Sequence, residues 1–286
     1  MPLTITRDPE EFADRAGEFI NTALERNVLA TVLFNVQNRG GYGGDAPIFA
    51  YEHPDETTEP TAVAMRTPPW PMLAVGFDRQ AAADELIAQW LPQDPQLPGI
   101  SAEPAAAAAI AKAWREQTGG DTELEFAEAM HALTEVIPPT RIPPGGLRPA
   151  TPDDRDLLID WERAFVLEAG LGDLDHADQM VDRRLEDGLQ VVWESAEPVC
   201  TVGFTVKING TVRIGPVYTP PAHRNRGYAT AAVAQTSRQL LDAGAARCML
   251  FTDLANPVSN RIYANIGYVR FADWEQHRFQ LPELAN

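Results

Sequence analysis

The chain is short of cysteine, of positive charge and of long apolar runs, and each shortage excludes something. Only two of its 286 residues are cysteines, Cys200 and Cys248. Both sit in apolar, strand-like runs, so they read as buried free thiols and give no disulfide framework. No stretch approaches the ~20 consecutive apolar residues of a membrane helix. No basic start followed by an apolar run suggests a secretory leader, so the expectation is a cytoplasmic protein with no membrane partner. The formal charge is −18. Residues 1–145 hold 22 acidic side chains against 9 basic, net −13; residues 146–286 hold 19 against 14, net −5. Such a body repels nucleic acid at long range. The acidity suits a cationic acceptor and serves solubility equally well. No histidine–cysteine cluster suggests a metal.

The best boundary is a proline seam, Val136-Ile-Pro-Pro-Thr-Arg-Ile-Pro-Pro-Gly-Gly146, which resists both helix and central strand. It divides the chain into 1–140, a linker at 141–146 and 147–286. The first part predicts helices over 9–24, 79–91 and 103–117 and strands over 28–36, 47–51, 61–66 and 72–76. Segment 123–136 reads as helical at its start and as a closing strand at its end. The glycine-rich stretch Arg39-Gly-Gly-Tyr-Gly-Gly44 has neither Walker nor dinucleotide spacing and no lysine in place, so it reads as a loop. The acidic, proline-rich passage 52–60 reads as another.

The second part is easier to read. A strand over 147–150 leads to a helix that Thr151 and Pro152 can start. Leu157, Leu158, Trp161 and Phe165 recur at helical spacing. A second helix covers 175–187. Strands follow over 190–194, 199–206 and 211–219, the last two joined by the tight-turn pair Asn209-Gly210. Then come a helix over 228–243, a strand over 247–252, a short helix over 257–265 and a closing pair over 268–273 and 277–281. This order implies an α/β fold with a mixed sheet and helices on its faces.

The segment that carries chemistry is Val217-Tyr-Thr-Pro-Pro-Ala-His-Arg-Asn-Arg-Gly-Tyr-Ala-Thr230. A strand ends, a glycine-bearing turn follows and a helix begins. Amides at a helix start lack internal partners and can surround a pyrophosphate, which the helix dipole also favours. Gly227 keeps a Cβ out of the way. Ala229 is small, and Arg224 and Arg226 add positive charge. Downstream, Asn256 can cap the helix that Pro257 starts, and Gly267 can end it. Ser259 and Tyr263, four apart, share one face of that helix.

Arg224-x-x-Gly227-x-Ala229 resembles the Q/R-x-x-G-x-G/A acyl-CoA motif of the GNAT N-acetyltransferase superfamily. Asn256-Pro-Val-Ser-Asn-Arg-Ile-Tyr263, followed by Gly267-Tyr268, resembles that family's segment after its fifth strand. The resemblance covers about 140 residues, from Gly146 onward. It implies a GNAT fold with a mixed, splayed central sheet and acetyl-CoA as the cofactor. The pantetheine arm would lie between two parallel strands and bond to the backbone of Val217, Tyr218 and Thr219. The pyrophosphate would meet the amides of Arg224, Asn225, Arg226, Gly227, Tyr228, Ala229 and Thr230. Asn256, Ser259 and Asn260 would line the channel, and Tyr263 would protonate the departing thiolate. A phenol near pKa ~10 must then reach a thiolate near ~8.5, so placement is the critical requirement.

Many relatives carry a glutamate base on the fourth strand of the domain. Here that strand is Arg213-Ile-Gly-Pro-Val-Tyr-Thr219 and has no carboxylate. Glu168 is the preferred substitute in the acceptor pocket, as base or as contact to a cationic amine, with Asp160, Glu162 and Glu194 behind it. Cys248 has no histidine partner for nucleophilic catalysis. His223 reads as a polar loop residue.

The first part partly echoes the element order of the second and has no acyl-CoA motif, which suggests a degenerate GNAT-like α/β domain or a separate α/β cap. Actinobacterial proteins of this two-part layout are similar, including the Leu97-Pro-Gly segment before an alanine-rich helix. The expected activity is acetyl transfer to a small-molecule amine or a protein amino group. The alternative is an acyl-CoA-binding regulatory or scaffold protein without turnover. Acceptor, chain-length preference and oligomeric state are not legible in the sequence.

Overall fold

The computed structural model describes residues 2–40, 45–54, 59–170 and 175–282, with Val258 described in its backbone alone. Residues 41–44 of the glycine-rich stretch and 55–58 of the acidic passage lie outside the described residues. The chain divides into two compact units. Unit 1 takes the residues up to Met130, Asp253–Ala255 and those from Ala272 onward; unit 2 takes His131–Thr252 and Asn256–Phe271.

Unit 1 contains β1 (Leu3–Thr6), α1 (Pro9–Asn21), α2 (Asn27–Arg39), β2 (Ile48–Glu52), β3 (Ala62–Arg66), β4 (Met72–Val75), α3 (Gln80–Trp90), β5 (Gly99–Ala102), α4 (Pro104–Thr118) and most of β6 (Asp121–Leu133). Strands β1 to β4 pair antiparallel in sequence order, and β4 pairs parallel with β5. The antiparallel partner of β5 is the last strand, β12 (Val269–Gln280). Asp8 starts α1 by accepting hydrogen bonds from the amides of Glu10 and Glu11, a standard N-cap ahead of Pro9. The alanine tract lets α4 approach α3 and the sheet closely. Trp90 and Trp114 fill the core, with Trp114 stacked on Phe279 at 4.6 Å. Burying side chains of this size stabilises the unit by roughly 2–3 kcal/mol each.

Three expectations need correction. Segment 28–36 is helical, within α2, and not a strand. It is a short apolar run, and periodicity does not separate a strand from a buried helix in such a run. Gly40, with φ 67°, ends that helix in the left-handed region. The start of segment 123–136 is strand, not helix. Its acids alternate with apolar residues, and Glu123 and Glu125 bond Arg278 and Gln276. The two closing strands are one, because Glu275 and Gln276 continue β12 opposite Ala102 and Ser101. Strands β1 and β5 were not foreseen; each has four residues.

Unit 2 contains β7 (Gly146–Pro149), α5 (Arg155–Ala169), α6 (Ala177–Glu186), β8 (Gln190–Glu194), β9 (Pro198–Phe204), β10 (Thr211–Tyr218), α7 (Tyr228–Asp242), most of β11 (Arg247–Asp253) and α8 (Pro257–Asn265). The strands order as β7-β8-β9-β10-β11. All neighbours are antiparallel except β10 and β11, which run parallel. Thr151 and Asp154 form a capping box ahead of α5. Arg148 of β7 holds the Asp154 carboxylate through two bonds at 2.7 and 2.8 Å. Asn209 and Gly210 both take positive φ, as a tight turn of this type requires.

Strand alternation sorts the side chains of this sheet onto two faces. Val191, Trp193, Cys200 and Val202 pack with Tyr228, Ala231 and Ala232 of α7. Val192 and Tyr218 pack with Leu158, Ile159 and Trp161 of α5 and Val181 of α6.

Candidate functional site

Strand β10 is where the sheet opens. Its parallel register with β11 pairs Thr211 with Arg247, Val212 with Cys248 and Arg213 with Met249. There it stops, although β10 runs on to Tyr218 and β11 to Asp253. On the other side of β10 the antiparallel register shifts, from Ile214–Phe204 to Val217–Val202. Two residues, Gly215 and Pro216, therefore stand opposite one, Gly203, as in a β-bulge. The bulge packs tightly on Gly203: a Cβ there would lie 2.9 Å from Pro216 Cδ and 3.1 Å from the Gly215 carbonyl. A bulge bends its strand and increases local twist, which accounts for the parting of β10 from β11 just beyond Arg213.

The far end of β10 leads into the turn that the sequence singled out. Asn225 and Gly227 take φ 61° and 85°, and α7 begins at Tyr228. A Cβ at Gly227 would meet open space, so the glycine is required by its backbone conformation. The first bond of α7 runs from the Ala231 amide to the Gly227 carbonyl at 3.0 Å. The amides of Tyr228, Ala229 and Thr230 thus have no intrahelical acceptor. Arg226 is exposed and has no ion-pair partner among the described residues.

Arg224 is organised differently. Its Nε donates to the Thr219 carbonyl at 2.8 Å, and its guanidinium pairs with the Glu168 carboxylate at 2.6 Å. Glu168 also accepts from the Tyr218 hydroxyl at 3.1 Å. The Tyr218 phenol is raised above its ordinary pKa, chiefly by burial and then by its bond to Glu168.

Across the opening, α8 starts as the sequence implied. The Asn256 side chain accepts from the Ser259 amide at 3.1 Å. Asn260 is held by the Thr252 hydroxyl of β11, 2.6 Å away. Tyr263 packs, with Val217 and Ala229, against the core cluster that contains Cys200 and Tyr228. Its ring meets Tyr268 edge-on at 5.9 Å. Burial first, and the Cys200 thiol second, raise the Tyr263 phenol above the ordinary range, so it holds its proton at neutral pH. Burial also pushes the Cys200 thiol up to about 12 and Cys248 to about 11. Thiols so disposed are poor nucleophiles.

The model of the acetyltransferase (GNAT) family matches residues 155–268. Residues 155–268 are a GNAT domain. A GCN5-related N-acetyltransferase from Sphaerobacter thermophilus superposes with a TM-score of 0.65 at 18% identity, covering 99% of this chain and 97% of that one. A GNAT-family acetyltransferase from Colwellia psychrerythraea gives 0.59 at 9%, covering 99% and 100%. A GCN5-related N-acetyltransferase from Kribbella flavida gives 0.54 at 16%, covering 78% and 88%. At these identities the likeness is one of fold. No curated protein matches the chain in sequence. The fold is α/β throughout, with the GNAT domain in the C-terminal half.

Within the GNAT domain, Val217, Tyr218 and Thr219 lie on the opened end of β10, and residues 224–230 form the turn and helix start. Asn256, Ser259, Asn260 and Tyr263 lie on α8 or at its cap. Glu168 joins the 224–230 end of this arrangement through Arg224. Glu162 is a weaker α5 candidate than Glu168 by sequence. In the fold it forms a short ion pair with Arg184 of α6, and both side chains are about nine-tenths buried. No sequence spacing announces a pair 22 positions apart. Among the described residues no helix is long and apolar enough to cross a membrane, and no group of three possible ligands could hold a metal ion.

Proposed function

We propose that the GNAT domain transfers an acetyl group from acetyl-CoA to an amine by direct attack. Family membership supports acyl transfer in general. The observation that carries the specific reading is the early end of the β10–β11 register, next to a helix start with unsatisfied amides.

The residues fit the cofactor. The backbone of Val217, Tyr218 and Thr219 can bond the amides of a pantetheine arm as a further strand would. The amides from Arg224 to Thr230, with Arg226 beside them, can hold a pyrophosphate. Asn256, Ser259 and Asn260 border the same opening. When bound, acetyl-CoA supplies an activated acyl carbon and a good leaving group. The protein's part is to hold that carbon where the amine can reach it and to donate hydrogen bonds to the charge that develops. An amide beside the β10 bulge is suited to the carbonyl oxygen. Tyr263 is the candidate to give its proton as the thiolate leaves; burial raises its phenol and makes that transfer more uphill, so placement of the hydroxyl against the sulfur must offset it. Glu168 is committed to Arg224 and Tyr218. That geometry supports a role in fixing the phosphate turn more than a role as base.

The test is thiol release from acetyl-CoA with a panel of amines: polyamines, aminoglycosides, amino acids and lysine peptides. Calorimetric acetyl-CoA binding is the control. Acceptor-dependent release is the expected result. Tight binding without release by any amine would favour the regulatory reading, which the absence of a carboxylate on β10 also favours.

A further inference from the structure

The opened end of β10 is bordered on both faces of the sheet. Val217 belongs to the face of α7 and Tyr263, and Tyr218 to the face of α5 and α6. The acid proposed above stands on the first face. The second face carries two carboxylates from α5, Glu162 and Glu168, six residues apart and so about 9 Å apart along the helix. Glu168 is at the outer end, tied to the phosphate turn.

Glu162 is nearer the start of α5 and pairs with Arg184 of α6. Its partner Arg184 lies against the seam between β9 and β10. Arg184 Cδ is 3.2 Å from the place a Cβ would occupy on Gly203, the residue opposite Gly215 and Pro216. Arg184 Nε also donates to Gln190 at 3.0 Å, and Gln190 is the β8 residue directly across from Gly203. Gln190 in turn donates to Thr201 at 3.0 Å. This chain fixes the guanidinium firmly. The carboxylate is not so committed: Arg184 bonds its Oε2, and its Oε1 accepts no hydrogen bond among the described residues. Oε1 is not among the buried side-chain atoms left without a partner, so this oxygen of a largely buried carboxylate still reaches solvent.

We infer that Glu162 is the proton acceptor for the amine, and that Arg184 is a positioning residue that aims it. This rests on the acetyltransferase reading above. The amine nitrogen forms its bond to the acyl carbon, the carbon–sulfur bond breaks, and the sulfur takes the Tyr263 proton. The proton lost by the nitrogen passes to Glu162 Oε1, directly or through one water. Solvent then takes the proton from Glu162 and restores that of Tyr263. The unused oxygen meets the geometric requirement of a base, a lone pair not already engaged. Burial raises the Glu162 carboxyl above its ordinary range, and Arg184 opposes the rise. Among the described residues, Arg184 on α6 is the one charged group facing it; Gln190 on β8 and Thr201 on β9 beyond are neutral.

The experiment compares the wild type with Glu162→Gln, which keeps an oxygen for Arg184. Acetyl-CoA binding, thiol release with the amine panel, and carbon-13 NMR titration of the glutamate carboxyls are measured on both. The expected result is a fall in kcat/KM of about 100-fold or more near neutral pH, shrinking as pH falls and the wild-type Glu162 carboxylate takes up a proton. Acetyl-CoA affinity stays within about threefold, and one carboxyl that titrates above the ordinary glutamate range disappears from the variant's spectrum. A kcat/KM within about threefold of wild type, or a loss equal at every pH, overturns the inference and leaves the acetyltransferase reading intact. The absence of any raised carboxyl in the wild-type spectrum overturns it even if the variant fails to fold. A wild type that binds no acetyl-CoA overturns both.

Discussion

Each unit has a parallel strand pair with a helix after each strand, yet only one pair opens. In unit 1, β4 and β5 stay paired from Met72–Ile100 to Ala74–Ala102, within one residue of the end of β4 and at the end of β5. In unit 2, β10 and β11 part after three pairs with five and four residues still to run. Both first strands are followed by a glycine with positive φ, Gly76 at 83° and Gly227 at 85°. Their surroundings are opposite. A Cβ on Gly76 would lie 2.4 Å from the Thr61 carbonyl oxygen, whereas one on Gly227 would meet nothing within 4 Å. A glycine turn before a helix is therefore common to a closed structural joint and to a candidate anion cradle. Open space beyond the strand ends separates the two.

The comparison can be broken by chemistry first. Tyr263→Phe should lower kcat by about 100-fold or more, the usual range for losing a proton donor. Acetyl-CoA affinity should stay within about threefold. Equal turnover in both proteins, by thiol release, would remove Tyr263 from the reaction.

Exchanging the glycines' roles comes next. Gly76→Ala places a Cβ against backbone and should cost about 3 kcal/mol, read by denaturant unfolding, with acetyl-CoA affinity unchanged in the folded protein. A loss of affinity would show that unit 1 takes part in binding.

Acid should weaken unit 2 at the joint between β7 and α5. Arg148 holds the Asp154 carboxyl down, from 3.8 to about 2. A depressed acid contributes stability that is full above its unfolded pKa, near 3.8, and is lost as pH falls through about 2. The contribution is at most about 2 kcal/mol. Asp154→Asn should flatten that part of the stability curve between pH 5 and 2, and an unchanged curve would contradict the pairing.

The smallest expected effect is the mirror of the Gly76 change. Gly227→Val puts a β-branched residue at a left-handed position and should disturb the turn's amides. Acetyl-CoA should bind about tenfold more weakly, with a modest fall in stability. An unaltered dissociation constant would move the pyrophosphate elsewhere.

What was legible in the sequence was local. Strand β8 and helix α8 fall where their patterns predicted, because the short apolar run Val191–Trp193, Pro257 and Gly267 mark them within a few residues. The turn at 224–230 was legible for the same reason. Segment 28–36 was misread because Val28, Leu29, Val32 and Leu33 suit a buried helix and a strand equally. The four-residue strands β1 and β5 were too short to show a period. The opening between β10 and β11 was not legible as geometry. It depends on where one register stops and on a bulge opposite Gly203, both matters of pairing between distant segments. The Glu162–Arg184 pair was hidden likewise, since its members meet only when α5 and α6 pack over β8 and β9.

The central claim is that one opened strand pair, in the GNAT domain, holds the acyl donor. Calorimetric titration of the wild-type chain with acetyl-CoA tests it most directly. One binding event per chain is expected, weakened by Gly227→Val and unaffected by Gly76→Ala. Two equivalent sites, or no binding at all, would contradict it.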